Sequence, residues 1–116
     1  MTNKSPIQVD IARPAAKDLK HLLKKYPHAF EDVEELIRQL ESGETPGNQI
    51  PNTGHTVYKV RVKSSDLTKG KSSGYRVVYY IRTTTRVILI TVYIKNERVD
   101  ITAEEIRHII DEYEHK

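Results

Sequence analysis

The chain has 116 residues, 19 Lys/Arg against 16 Asp/Glu, a formal net charge of +3 and no cysteine. This length fits one domain around one core, and the cysteine count excludes disulfides, thiolate zinc sites and a cysteine nucleophile. The opening MTNKSPIQVD lacks the apolar run of a signal peptide, and no stretch approaches the ~20 apolar residues of a membrane span, so a cytoplasmic protein without membrane contact is expected.

Residues 1–6 are read as a flexible N-terminus, and Ile7–Ile11 alternates enough for a short strand. Pro14 suits the first turn of a helix, where its missing N–H costs nothing. Ala12, Ala16, Leu19 and Leu23 recur at helical spacing with Lys17, Lys20 and Lys24 outside, and Tyr26-Pro27 ends the helix. A second helix is expected from about Phe30 to Ser42. There Val33, Leu36, Ile37 and Leu40 form an apolar stripe and Gly43 is the stop.

Glu44–Gly54 reads as a turn-rich loop. Three strands follow, near Val57–Lys63, Gly74–Arg82 and Arg86–Ile94, joined as an antiparallel meander by the long basic loop 64–73 and the tight link Thr83–Thr85. The last helix runs from Ala103 to about Glu114. Thr102 is its N-cap, Glu105 completes a capping box, and Ile101 with Ile106 forms a hydrophobic staple. The order β-α-α-β-β-β-α predicts an α+β fold: helices packed on one mainly antiparallel twisted sheet, covering its back.

Charge is unevenly placed. From Lys59 to Arg98 there are ten Lys/Arg and two acids, a balance of +8, and the remainder carries −5. Such asymmetry points to an anionic partner for one face, nucleic acid first. The competing reading is a solvated hairpin on a basic protein. Strand alternation puts Lys59, Arg61 and Lys63 on one side of the first meander strand and Arg76, Val78, Tyr80 and Arg82 on one side of the next. In the third, Leu89, Thr91, Tyr93 and Lys95 are expected opposite Ile88, Ile90, Val92 and Ile94, the latter being the core face. Lys59, Arg61, Arg76, Tyr93 and Lys95 would then gather on one surface. Arginine offers paired donors to phosphate oxygens, lysine a mobile charge, and tyrosine a base-stacking ring or a proton. Equally, Lys59 and Arg61 could simply keep an exposed sheet face soluble.

Two weaker signals fall away. Gly70-Lys71-Ser72 lacks the earlier glycine and the strand-to-helix setting of a phosphate-binding loop. His21, His28, His55, His108 and His115 have no i, i+4 pair, so no metal site is expected. Tyr75, Tyr79 and Tyr80 are read as core and strand formers.

Three runs together carry a resemblance: Tyr58–Val62 (YKVRV), Lys69–Tyr79 (KGKSSGYRVVY) and Leu89–Lys95 (LITVYIK). They resemble the RelE/ParE toxin superfamily, and the KGKSSGYRV loop and Tyr-x-Lys ending look most like its HigB branch. The resemblance spans about residues 7–113. It implies a RelE-like fold and the toxin of a type II toxin–antitoxin system. Such a toxin is a metal- and cofactor-independent mRNA interferase of the ribosomal decoding site, in which the RNA 2′-hydroxyl attacks the adjacent phosphate. By position Lys59 and Arg61 match the family's basic pair, Arg76 its strand arginine, and Lys95 lies near its late cation. With Tyr93 these are the expected catalytic residues, and Lys63, Lys69, Lys71, Arg82 and Arg98 the expected RNA-binding ones. The resemblance also implies a cognate antitoxin, the ribosome and mRNA as partners, and oligomers formed only through the antitoxin. One departure stands out. The family's late tyrosine, near Thr102 here, is absent, so the acid–base residue cannot be carried over. Tyr93 as a base would need a pKa about three units below 10, roughly 4 kcal/mol. A ParE-like gyrase inhibitor and a non-catalytic RNA- or protein-binding relative remain as alternatives.

Overall fold

The computed structural model describes residues 7–66, 74–95, 97–98 and 100–115. Its elements are β1 (Gln8–Ile11), α1 (Arg13–Leu23), α2 (Ala29–Glu41), β2 (Asn48–Gln49), β3 (Val57–Val62), β4 (Tyr75–Thr83), β5 (Arg86–Ile94) and α3 (Ala103–Glu114). The helices lie in the expected segments, but in α1 the expected apolar positions Ala16 and Leu23 are exposed, and the residue before each is buried instead. Ala15, Leu19 and Leu22 are the buried side of α1, and Ala29, Val33, Leu36 and Leu40 that of α2. Thr102 and Glu105 form both halves of the capping box of α3. β2 lies inside the expected turn-rich loop. Its two residues are exposed and pair only with Lys59 and Tyr58, so no apolar alternation announced it.

The sheet runs β1-β5-β4-β3-β2. β1 pairs with β5 in parallel, and the other pairs are antiparallel. Two cores lie on its two faces. Val77, Tyr79, Val92 and Ile94 pack with α1 and α2. Val57, Val78, Tyr80, Ile88 and Ile90 pack with Ile106 and Ile110 of α3. The expectation that all helices cover the back is therefore corrected, because α3 lies on the same face as the candidate cations. Strands this apolar need cover on both sides. Tyr75, Tyr79 and Tyr80 are core residues, as expected.

A β-bulge overturns the expected faces of β5. Tyr79 is opposite Leu89, but Val78 is opposite Thr91, so Ile90 is an extra residue. Val87, Leu89, Val92 and Ile94 consequently face α1 and α2, whereas Ile88, Ile90 and Tyr93 face α3. At the start of β4, Gly74 has φ +127° and a side chain there would meet the Val62 carbonyl oxygen at 2.7 Å. Glycine is the residue that permits this approach.

β1 reaches only as far as Leu89 along the outer edge of β5. Beyond it, Asp18 of α1 takes over: its Oδ2 accepts from the Val92 amide at 3.0 Å and the Thr91 hydroxyl at 2.6 Å. Asp18→Ala leaves both buried donors without this acceptor, at about 1–3 kcal/mol for a buried group. Urea denaturation is expected to register a loss of that size, and an unchanged midpoint would remove Asp18 from the account of how α1 is fixed to the sheet.

Candidate functional site

The register of the sheet builds one row. Arg61 is directly opposite Arg76, and Arg76 directly opposite Tyr93. Paired residues share a face, so the three side chains cross β3, β4 and β5 on the α3 side. Lys59, two residues before Arg61, joins them on that face. The four residues meet at the end of the sheet away from Val57 and Tyr80, which pack in the α3 core.

Two acids at the start of α3 close the row. Oδ1 of Asp100 accepts from Lys59 Nζ at 3.1 Å, the Tyr93 hydroxyl at 3.2 Å and the Ile101 amide at 2.8 Å. The Ile101 amide first, then Lys59 and Tyr93, hold the Asp100 carboxyl below its ordinary range. Glu105 takes Arg98 Nη2 on both oxygens at 2.6 Å while serving the capping box. The Arg98 guanidinium lies 6.0 Å from the centre of the Tyr93 ring. Sequence reasoning missed Asp100 entirely. Its contact with Lys59 spans 41 positions, and no local pattern signals that.

Arg76 differs from its neighbours. Among the described residues, its Nη1 is the one buried side-chain polar atom without a hydrogen-bond partner. A buried unsatisfied donor costs about 1–3 kcal/mol, more when charged. A charged donor left in this state is one that an anion would satisfy once the cover over Nη1 gives way.

The remaining candidates divide. At the edge of the sheet, the end of β3 with Lys63 borders an open groove whose other wall is Asp32, Glu35 and Gln39 of α2; Arg61 touches this groove from the strand edge. Lys95 is in an exposed turn directly after β5. Arg82 is not part of the row. It sits at the other end of β4 and is bonded to Glu114, Nε to Oε2 at 3.0 Å. Lys69 and Lys71 lie outside the described residues. The loop that carries them starts at a fixed point, since Ser65 donates to Asp32 through its amide (2.9 Å) and its hydroxyl (2.5 Å). Next to it, Asp66 accepts from the His28 amide at 2.9 Å. No three His, Cys, Asp or Glu side chains gather to hold a metal among the described residues. No described helix is long and apolar enough to cross a membrane.

Residues 15–113 match the family model described as the RelE toxin of the RelE/RelB toxin–antitoxin system. The chain belongs to the RelE toxin family. An antitoxin partner follows from that membership. No curated protein matches it in sequence. Among solved structures, an arginine-substituted mutant of the E. coli toxin RelE in the free state superposes with a TM-score of 0.56 and 20% identity, covering 92% of this chain and 97% of that one. At this identity the likeness concerns the fold, whose helices and mostly antiparallel sheet the RelE-family chain shares.

Tyr93 does not have the pKa that a base requires. Burial first, then the Asp100 charge, push its phenol from 10.0 up to about 12, with Arg76 and Arg98 opposing. A base at Tyr93 would need a pKa about three units below 10, and burial moves the phenol the other way. The raised value also fixes a stability window: the contribution is complete below pH 10.0 and is lost as pH rises through about 12. Difference absorbance between the wild type and Tyr93→Phe is expected to place this phenolate near 12. A transition near pH 7 would restore Tyr93 as a base.

Proposed function

We propose that this RelE-family toxin is a ribosome-dependent mRNA endonuclease that cleaves by attack of the RNA 2′-hydroxyl on the neighbouring phosphate. The observation that carries the reading is the partnerless Nη1 of Arg76, set between Arg61 and Tyr93 on one face. In the proposed reaction the 2′-oxygen bonds to phosphorus, and the bond from phosphorus to the 5′-oxygen breaks. The products are a 2′,3′-cyclic phosphate and a 5′-hydroxyl. Arg61 and Arg76 bind the non-bridging oxygens and stabilise the charge that accumulates on them. Lys59 changes partner from Asp100 to the phosphate. Tyr93, protonated at the start, gives its proton to the leaving 5′-oxygen and regains one from solvent, and the 2′-hydroxyl proton passes to solvent or a ribosomal base. Lys63, Lys95 and Arg98 border this path and contribute attraction to the backbone. The protein acts in the cytoplasm, as a monomer when not bound by its antitoxin.

A second reading, RNA binding without cleavage, is favoured by the direction of the Tyr93 shift, since a phenol near 12 offers no base. Incubation with programmed ribosomes and mRNA, beside a gyrase supercoiling assay, separates the readings. Transcript cut only when ribosomes are present supports cleavage. Binding with intact transcript supports the second reading, and lost supercoiling would mean a ParE-like inhibitor. Arg76→Ala is expected to lower the cleavage rate by about 10²–10³-fold, the range for a donor aimed at developing charge, and to weaken RNA binding much less. Equal losses in both would reduce Arg76 to a binding residue.

A further inference from the structure

The first helix carries a second cationic surface, on the far side of the sheet from the row. Arg13, Lys17, Lys20 and Lys24 are all exposed. At about 100° per residue they fall within about 60° of arc, and they extend about 16 Å along the helix axis. The buried residues Ala15, Leu19 and Leu22 lie on the opposite side and pack against the sheet face that holds Val77 and Val92. The stripe therefore points directly away from the sheet. Asp18, the one acid in α1, is turned inwards to Thr91 and Val92.

Local helix stability accounts for only half of this placement: Lys20 and Lys24 lie at the C-terminal end, where the helix dipole favours cations, but Arg13 and Lys17 do not. Neighbours in the stripe are three or four residues apart, where like charges repel by roughly 0.2–0.5 kcal/mol per pair. None of the four is ion-paired among the described residues. The other helices follow the usual rule: α2 has Glu31 and Asp32 in its first turn, and α3 has Glu104 and Glu105. α1 has no acid in its first turn, and Arg13 stands at its positive end.

We propose that this stripe docks on the phosphate backbone of base-paired RNA while the opposite sheet face holds the single strand to be cut. The inference rests on the reading of the chain as an RNA-acting toxin and names a second RNA surface for it. A straight row of charges on a rigid helix matches the fixed phosphates of a duplex. Single strands are held instead by stacking on aromatic rings, and the stripe has none. An acidic protein would be expected to bring an aromatic or other buried anchor, and the nearest large apolar side chain, Leu23, lies about 60° round the helix from Lys20, outside the stripe.

The test uses the full chain, a fully base-paired RNA of about 20 base pairs and a short single-stranded RNA. The triple variant Lys17→Gln, Lys20→Gln, Lys24→Gln is expected to lose duplex affinity by about tenfold or more at low salt. Its plot of log affinity against log salt should flatten by roughly two to three units. Binding of the single strand should be unchanged, and arginine at the three positions should restore the duplex. Thermal melting confirms that the variants are folded. Unchanged duplex affinity and slope would overturn the inference, as would a loss confined to antitoxin binding, which would assign the stripe to the protein partner. If the wild type binds duplex through the stripe but never cuts mRNA, the inference stands and the nuclease reading fails.

Discussion

Everything at the site depends on the extra residue in β5. Continued from the Tyr79–Leu89 pair without a bulge, the ladder would set Val92 opposite Arg76. The bulge at Ile90 advances the register by one, and Tyr93 takes that place. A shift of one residue exchanges the two faces of a strand. Here it does so halfway along, so one end of β5 gives Ile88 and Ile90 to the α3 core and the other gives Tyr93 to the row. Bulges of this kind re-aim a side chain at the cost of a local break in pairing. The apolar demand of the two cores and the polar demand of the row are thus met by one strand.

Charge segregated along a sequence need not stay segregated in space. Four cations of the basic stretch are met by acids from outside it: Lys59 by Asp100, Arg82 by Glu114, Arg86 by Asp10 and Arg98 by Glu105. The balance of +8 overstates the field of the folded sheet. What distinguishes the row is Arg76, half-covered and one bond short, and no sum over residues identifies it.

Much of the fold was legible because local rules agreed with the tertiary structure. The stripe of α2, the capping box of α3 and the limits of β5 all follow from patterns within a dozen residues. The misses share a cause. The β2 pairing, the bulge at Ile90 and the Asp18 contact to Val92 are set by partners 9 to 74 positions away, and alternation cannot see them. The assignment of Lys59, Arg61 and Arg76 to one face needed only strand periodicity and an antiparallel register, so it survived. Tyr93 reached their face for a reason that periodicity did not contain. The direction of its pKa was also out of reach, because the sequence lists the neighbouring cations but not the burial, which outweighs them.

The resting arrangement also bears on how firmly the row is held. Asp100 already supplies an anion to Lys59 and Tyr93, but the Lys59–Asp100 pair is open to water, with side-chain exposures of 36% and 59%. Pairs of that kind are worth about 0–1 kcal/mol. A phosphate offers more acceptor oxygens than the one Asp100 oxygen that Lys59 and Tyr93 now share, and it can serve Arg76 as well. In the proposed reaction, exchange of one anion for the other would satisfy the donor that the resting protein leaves without a partner. Asp100 keeps Lys59 and the Tyr93 hydroxyl directed at one point, and its hold on the lysine is weak enough to give way.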